Sequence, residues 1–173
     1  ALVDSEDSEN INAKLALVCQ NIGNNEKALS YYKKTFVINT NLTVLRFDYA
    51  NLLGNMGKYE QAIEQYKIYL KEFPDDSSAY KNLGIVYKKT GNIDLALFNL
   101  EKSYSKDKSD NETKKELALC YHQKQDYINA LKYYKYAMYL YDAIKEEANT
   151  LPLDLYPSHL DYCQTICEIK GQL

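Results

Sequence analysis

An alanine recurs every 34 residues, at Ala28, Ala62, Ala96 and Ala130, and a period of that length restricts a chain to stacked copies of one small unit. No single copy can bury its apolar face alone, so each must cover it with its neighbours. The approach to the alanine is shared as well. Gly23, Gly57, Gly91 and Gln125 stand five residues before the four alanines, which places three glycines and one glutamine in one recurring turn.

Registering the chain on this period predicts a lead at 1–8, four units at 9–42, 43–76, 77–110 and 111–144, and a C-terminal segment at 145–173. The eighth position of each unit is small, in Ala16, Ala50, Gly84 and Ala118, and the residue before it is bulky, in Leu15, Tyr49, Leu83 and Leu117. Position 24 is Tyr32, Tyr66, Leu100 and Tyr134. Positions 7, 10 and 11, such as Leu83, Val86 and Tyr87, have the i, i+3, i+4 spacing of an amphipathic helix. Each unit therefore reads as a helix A, a tight turn and a helix B. Asn24, Asn92 and Asp126 stand where a side-chain oxygen caps helix B, with Lys58 the exception. Ser109 and Glu112 have capping-box spacing before the fourth unit.

The third unit runs Tyr80-x-x-Leu83-Gly84-x-x-Tyr87, then Ala96-x-x-x-Leu100, and the second closes on Pro74. This resembles the tetratricopeptide repeat, whose period and signature positions it follows with conservative exchanges. The resemblance implies an all-α fold: a right-handed α-solenoid of four helix-turn-helix repeats with a C-terminal capping helix.

The end of the chain departs from the rule. From Tyr127 to about Asn149 no proline or glycine interrupts the helical pattern, so the last helix B is expected to be extended, with tyrosines on several faces. After the breaker ending in Pro157, residues 158–170 read as a cap that docks through Leu160, Cys163, Ile166 and Cys167. The alternative is that this tyrosine-rich region joins a second molecule.

Chemistry is sparse. The net charge of −3 gives no basic footprint for nucleic acid. No apolar run reaches the length of a membrane span, and the acidic opening is unlike a signal peptide, so a soluble chain is expected. No phosphate loop, nucleophile elbow or zinc-binding helix motif occurs, and neither His122 nor His159 sits in a catalytic pattern. No enzyme activity, cofactor or metal is expected. His159, Cys163 and Cys167 share one side of a helix, but ligands so spaced extend over roughly 12 Å, whereas a zinc ion draws all of its ligands to within about 2.3 Å. They read as small apolar contacts. Cys19 and Cys120 fall on helical core-facing positions and read as free buried thiols.

Function then rests on a surface. In the family resembled, positions 2, 5, 6, 9, 12 and 13 of each helix A face a concave groove that receives an extended peptide or a helix of a partner protein. Carried onto this chain, they are Asn10, Ala13, Lys14, Leu17, Gln20 and Asn21 in the first unit and Val44, Phe47, Asp48, Asn51, Gly54 and Asn55 in the second. The third supplies Ser78, Lys81, Asn82, Ile85, Lys88 and Lys89, and the fourth Glu112, Lys115, Glu116, Leu119, His122 and Gln123. Asn51 and Asn82 suit a peptide backbone. Lys81, Lys88 and Lys89 suit acidic partner residues, and Glu112 and Glu116 a basic one. The subclass that holds heat-shock chaperone C-termini requires cations where this chain has Phe47, Glu112 and Glu116, so such a tail is not the expected ligand. The chain reads as a non-catalytic protein-interaction module of a larger protein or assembly. The rival readings are a self-associating scaffold built on the C-terminal region and the regulatory arm of an enzyme.

Overall fold

A computed structural model describes residues 2–135, of which 2–7 and 9 as backbone only. The extension of the last helix, the capping segment, His159, Cys163 and Cys167 all lie outside the described residues. Seven helices follow one another: α1 (Leu2–Asn21), α2 (Asn25–Ile38), α3 (Leu45–Asn55), α4 (Tyr59–Glu72), α5 (Ser77–Lys89), α6 (Ile93–Lys106) and α7 (Asn111–Gln123). An eighth, α8, begins at residue 127 and is described to residue 135. The lead is helical from Leu2 onward and continuous with the first helix A.

The A-to-B turn is the same in all four hairpins because one backbone motif closes each helix A. Gly23, Gly57 and Gly91 have φ of 77°, 74° and 79°, and Gln125 takes the same left-handed conformation at 62°. In each turn that residue's N–H donates three positions back, as Gly91 to the Lys88 carbonyl at 3.0 Å, and the next N–H donates five positions back, as Asn92 to Tyr87 at 2.9 Å. This is the Schellman arrangement, which satisfies carbonyls that the helix end leaves without partners.

Caps on the helix starts differ from the sequence reading in two places. Asn24 accepts from the Lys27 N–H and Asp126 from the Asn129 N–H. Asn92 makes no cap bond; its amide donates to the Thr90 hydroxyl at 2.9 Å instead. The box expected between Ser109 and Glu112 is also absent. Asp110 caps α7 by accepting from the Glu112 N–H and the Thr113 hydroxyl, while Ser109 bonds back to Asp107. Asp110 stands one residue closer to the helix than Ser109, and its two carboxylate oxygens reach the first turn directly.

Inside the hairpins, Ala28, Ala62, Ala96 and Ala130 are fully buried, and so are Ala16, Ala50 and Ala118. Small residues on both helices let the backbones approach, and the position-24 side chain fills the space beyond: Tyr32, Tyr66, Leu100 and Tyr134 expose 2% or less. Leu15 breaks the pattern. Tyr49, Leu83 and Leu117 at the same position are buried, but Leu15 is 37% exposed, and Ile11, Val18 and Ile22 are open beside it. The reason is positional: among the described residues, no helix B precedes α1.

The three junctions between hairpins are held by different chemistry. The first is aromatic: Tyr49 packs on Tyr32 and Phe36 with centroids 5.3 and 5.4 Å apart, and Arg46 lies 4.7 Å over Phe36. The second is held along its A helices by neutral amide and hydroxyl groups, Asn51, Tyr66 and Asn82, with Tyr69 donating to Asp76 at 2.8 Å and an exposed ion pair between Lys106 and Asp75 at its edge. The third is ionic: Lys81 meets Asp110 and Glu112 at 3.0 and 3.1 Å, and Lys88 meets Glu116.

Helices α1, α3, α5 and α7 each touch the next of the set, while α2, α4 and α6 touch mainly their A-helix neighbours. The A helices thus form the tighter row and line the inside of the curve. Among the described residues, no helix is long and apolar enough to cross a membrane.

Candidate partner-binding groove

Because each A helix turns the same face inward, residues of three hairpins converge on one open cleft of about 580 Å³. Phe47, Asn51, Gly54 and Asn55 of α3 form one wall and Ser78, Lys81, Asn82, Ile85 and Lys89 of α5 the other, with Gln20 at the α1 end. Tyr66 and Val86 complete the lining. Of the residues expected to face a partner, Phe47, Asn51, Ser78, Lys81, Asn82, Ile85 and Lys89 are brought together here. Asn10, Lys14, Leu17, Val44, Asp48, Lys88, Lys115, Glu116, Leu119 and His122 lie outside this cleft. Asn10 and Lys14 are exposed on α1, Val44 is 64% exposed, and Glu116 is buried.

The polar floor is preorganised. The Tyr66 hydroxyl donates to Asn51 Oδ1, and Asn82 Nδ2 donates to the same oxygen at 2.8 Å. Burial pushes the Tyr66 hydroxyl far above its usual range, against the opposing effect of the Asn82 bond, so it stays a neutral donor. Asn51 Nδ2 and Asn82 Oδ1 keep no partner among the described residues. Phe47 supplies the apolar wall and is itself held by Tyr66 edge-on at 6.1 Å and by Tyr69 at 5.5 Å.

Charge is distributed differently from a simple reading of the face. Lys81 and Lys88 are neutralised by Asp110, Glu112 and Glu116 of α7. Burial works against the Lys81 charge, but the two carboxylate bonds outweigh it and hold its ammonium above the usual range. Lys89 is exposed and lies 5.9 Å from the Tyr59 ring centroid. Asp48 is half-buried, and burial raises its carboxyl above the usual range.

Tyr66 and Val86 are the groove residues that the register missed, because positions 24 and 10 belong to the core, and Tyr66 is 2% and Val86 5% exposed. The signal for Tyr66 was present: a tyrosine in place of phenylalanine brings a hydroxyl that must find a partner when buried. Cys120 is fully buried with its thiol pushed up to about 11 by burial, as an unreactive core group. Among the described residues, no group of His, Cys, Asp and Glu side chains could hold a metal ion.

Paired antiparallel helices stacked at a constant repeat, with the A helices inside, define an α-solenoid of the protein-interaction class. Residues 47–112 match the family described as tetratricopeptide repeat, so the chain contains tetratricopeptide repeats. Among curated proteins it is 31% identical over 97 residues to the photosystem I assembly protein Ycf3 of Prochlorococcus marinus subsp. pastoris, covering 52% of this chain and 54% of that protein. The Ycf3 of a Synechococcus species is 36% identical over 84 residues, 44% of this chain and 46% of the relative. The chain thus spans about half the length of these curated relatives. In fold it is similar to MamA of Desulfovibrio magneticus, with a TM-score of 0.75 at 17% identity over 78% of this chain and 76% of that one.

Proposed function

We propose that this chain is a non-catalytic interaction module whose concave face holds an extended segment of a partner protein. The observation that carries the reading is the cleft between α3 and α5. Its floor offers the Asn51 Nδ2 donor and the Asn82 Oδ1 acceptor without partners among the described residues, beside the apolar Phe47 and Ile85. A donor and an acceptor set side by side match the alternating N–H and C=O of an extended backbone, and the apolar flanks accept its side chains. Likeness over part of their length to proteins named for photosystem I assembly supports a role in gathering the components of an assembly.

The test is binding of an immobilised peptide array to the full chain and to a variant carrying Phe47→Glu and Asn82→Ala, with circular dichroism to verify that both are folded. Loss of the bound peptides in the variant is expected. Undiminished binding would place the ligand elsewhere and sink the groove reading.

A further inference from the structure

Two junctions share one geometry, in which the sixth residue of a helix A meets the ninth or the twelfth residue of the preceding one. In the third unit that residue is Asn82, satisfied by Asn51 at 2.8 Å. In the fourth it is Glu116, neutralised by Lys88. In the second it is Asp48, and the residues facing it by register are Leu17, which is apolar, and Gln20, whose Oε1 already accepts from the Tyr32 hydroxyl at 2.9 Å.

The consequence is an unmatched charge. Asp48 has no hydrogen-bond or ion-pair partner among the described residues, and no cation acts on it. It is half-buried, and the groups that feel its charge are the hydroxyls of Tyr32, Tyr66 and Tyr69. Burial pushes all three hydroxyls above their usual range, so they stay neutral. A carboxylate in that position loses hydration without gaining a counter-charge, a state that a partner's cation would relieve.

We propose that Asp48, on the concave face beside the cleft, receives a lysine or arginine side chain of the partner segment, so that this face selects a basic residue at one fixed place. The inference rests on the groove reading above and adds the chemistry of its ligand. The cation would enter beside Phe47, next to a cluster of tyrosine rings that favours positive charge over an apolar or acidic occupant. The remaining groove carboxylates do not compete, since Glu112 and Glu116 are held by Lys81 and Lys88.

A displayed random-peptide library selected on the full chain tests this. Selected peptides that lose binding to a Phe47→Glu variant are the groove ligands. They are expected to share a Lys or Arg at one position and to bind Asp48→Asn about 10- to 100-fold more weakly. Replacing that basic residue with norleucine should weaken binding to the parent by a similar factor and leave binding to Asp48→Asn unchanged. In a second selection, Asp48→Lys should turn the preference at that position to Asp or Glu. Groove ligands without a shared basic residue, or with affinities for parent and Asp48→Asn within about twofold, overturn the assignment while leaving the groove reading intact. If no selected peptide is sensitive to Phe47→Glu, the groove reading fails and takes the inference with it.

Discussion

Two glycines inside A helices make the tightness of the hairpin measurable. Gly84 is buried in the middle of α5, and a β-carbon added there would lie 2.7 Å from Leu100 Cγ and 3.1 Å from the Ala96 carbonyl oxygen. Carbon atoms rest at about 3.5–4.0 Å, so the intruding carbon overlaps a fully buried side chain close to its backbone attachment. Overpacking of this kind costs about 1–3 kcal/mol, against a gain of about 1 kcal/mol for replacing a mid-helix glycine by alanine. Gly84→Ala is therefore expected to destabilise the chain by about 1 kcal/mol net. Gly54, in the last turn of α3, is the control, because its added carbon meets nothing closer than Val86 Cγ2 at 3.5 Å. There the same substitution should be neutral or stabilising by up to about 1 kcal/mol. Urea unfolding followed by far-UV circular dichroism reads both, provided the slopes agree. In a Leu100→Ala background only the Ala96 carbonyl oxygen at 3.1 Å remains in the way, and the cost of Gly84→Ala should fall. If Gly84→Ala stabilises the parent as much as Gly54→Ala does, the contact with Leu100 does not govern this hairpin and the reasoning is wrong.

Ion pairs that look alike should differ in weight. Lys88→Met strands Glu116, whose side chain is 10% exposed, and is expected to cost about 2 kcal/mol or more. Lys106→Met faces Asp75 at 93% exposure and should stay within about 0.5 kcal/mol by the same unfolding assay. Gln125→Gly relieves a left-handed side-chain-bearing residue and should raise stability by about 0.5–1 kcal/mol, read from the denaturation midpoint. Acid titration separates two carboxylates. Burial acts to raise Asp110, but bonds from Thr113 and Lys81, the Lys81 charge and the Glu112 amide outweigh it, leaving the group below its usual range. Its stabilisation is present above the unfolded value of about 3.9 and is lost as pH falls through the lower folded value, so Asp110→Asn should flatten the acid limb. Asp48 has the opposite sign, being raised by burial. Its ionised form opposes folding, so Asp48→Asn should be the more stable protein near neutrality, with the difference vanishing below the unfolded value.

The helix hairpins were legible because their cause is local. A small residue at position 8, alanine at position 20 and a large residue at position 24 dictate close packing wherever they recur, and Ala16, Ala62 and Tyr134 behave accordingly. Gln125 in a glycine slot still formed the left-handed turn, since the surrounding helix ends impose it. Pairing across hairpins was harder to read. Which side chain answers Asn82 or Glu116 depends on two positions of the preceding unit, and a helix-face reading treats each position singly. Lys81 and Lys88 thus looked available to an acidic partner, although acids one unit further on neutralise them. Asn92 departs from its register for a similar reason: its Nδ2 donates to the neighbouring Thr90 hydroxyl, and its Oδ1 makes no cap bond.

The three junctions differ in what joins them most closely, aromatic rings in the first, amides in the second and ion pairs in the third, and that difference favours one order of the hairpins. Tandem copies of one unit are prone to stack in the wrong sequence or to slip by a unit while folding. Here a slip is self-correcting: if α7 docked on α3 instead of α5, Glu116 would meet Asn51 and Gly54 where it now meets Ile85 and Lys88, leaving a buried charge without its counter-ion. The third junction thus works as a keyed connector, accepting the neighbour it was shaped with and rejecting the near-copy one unit away.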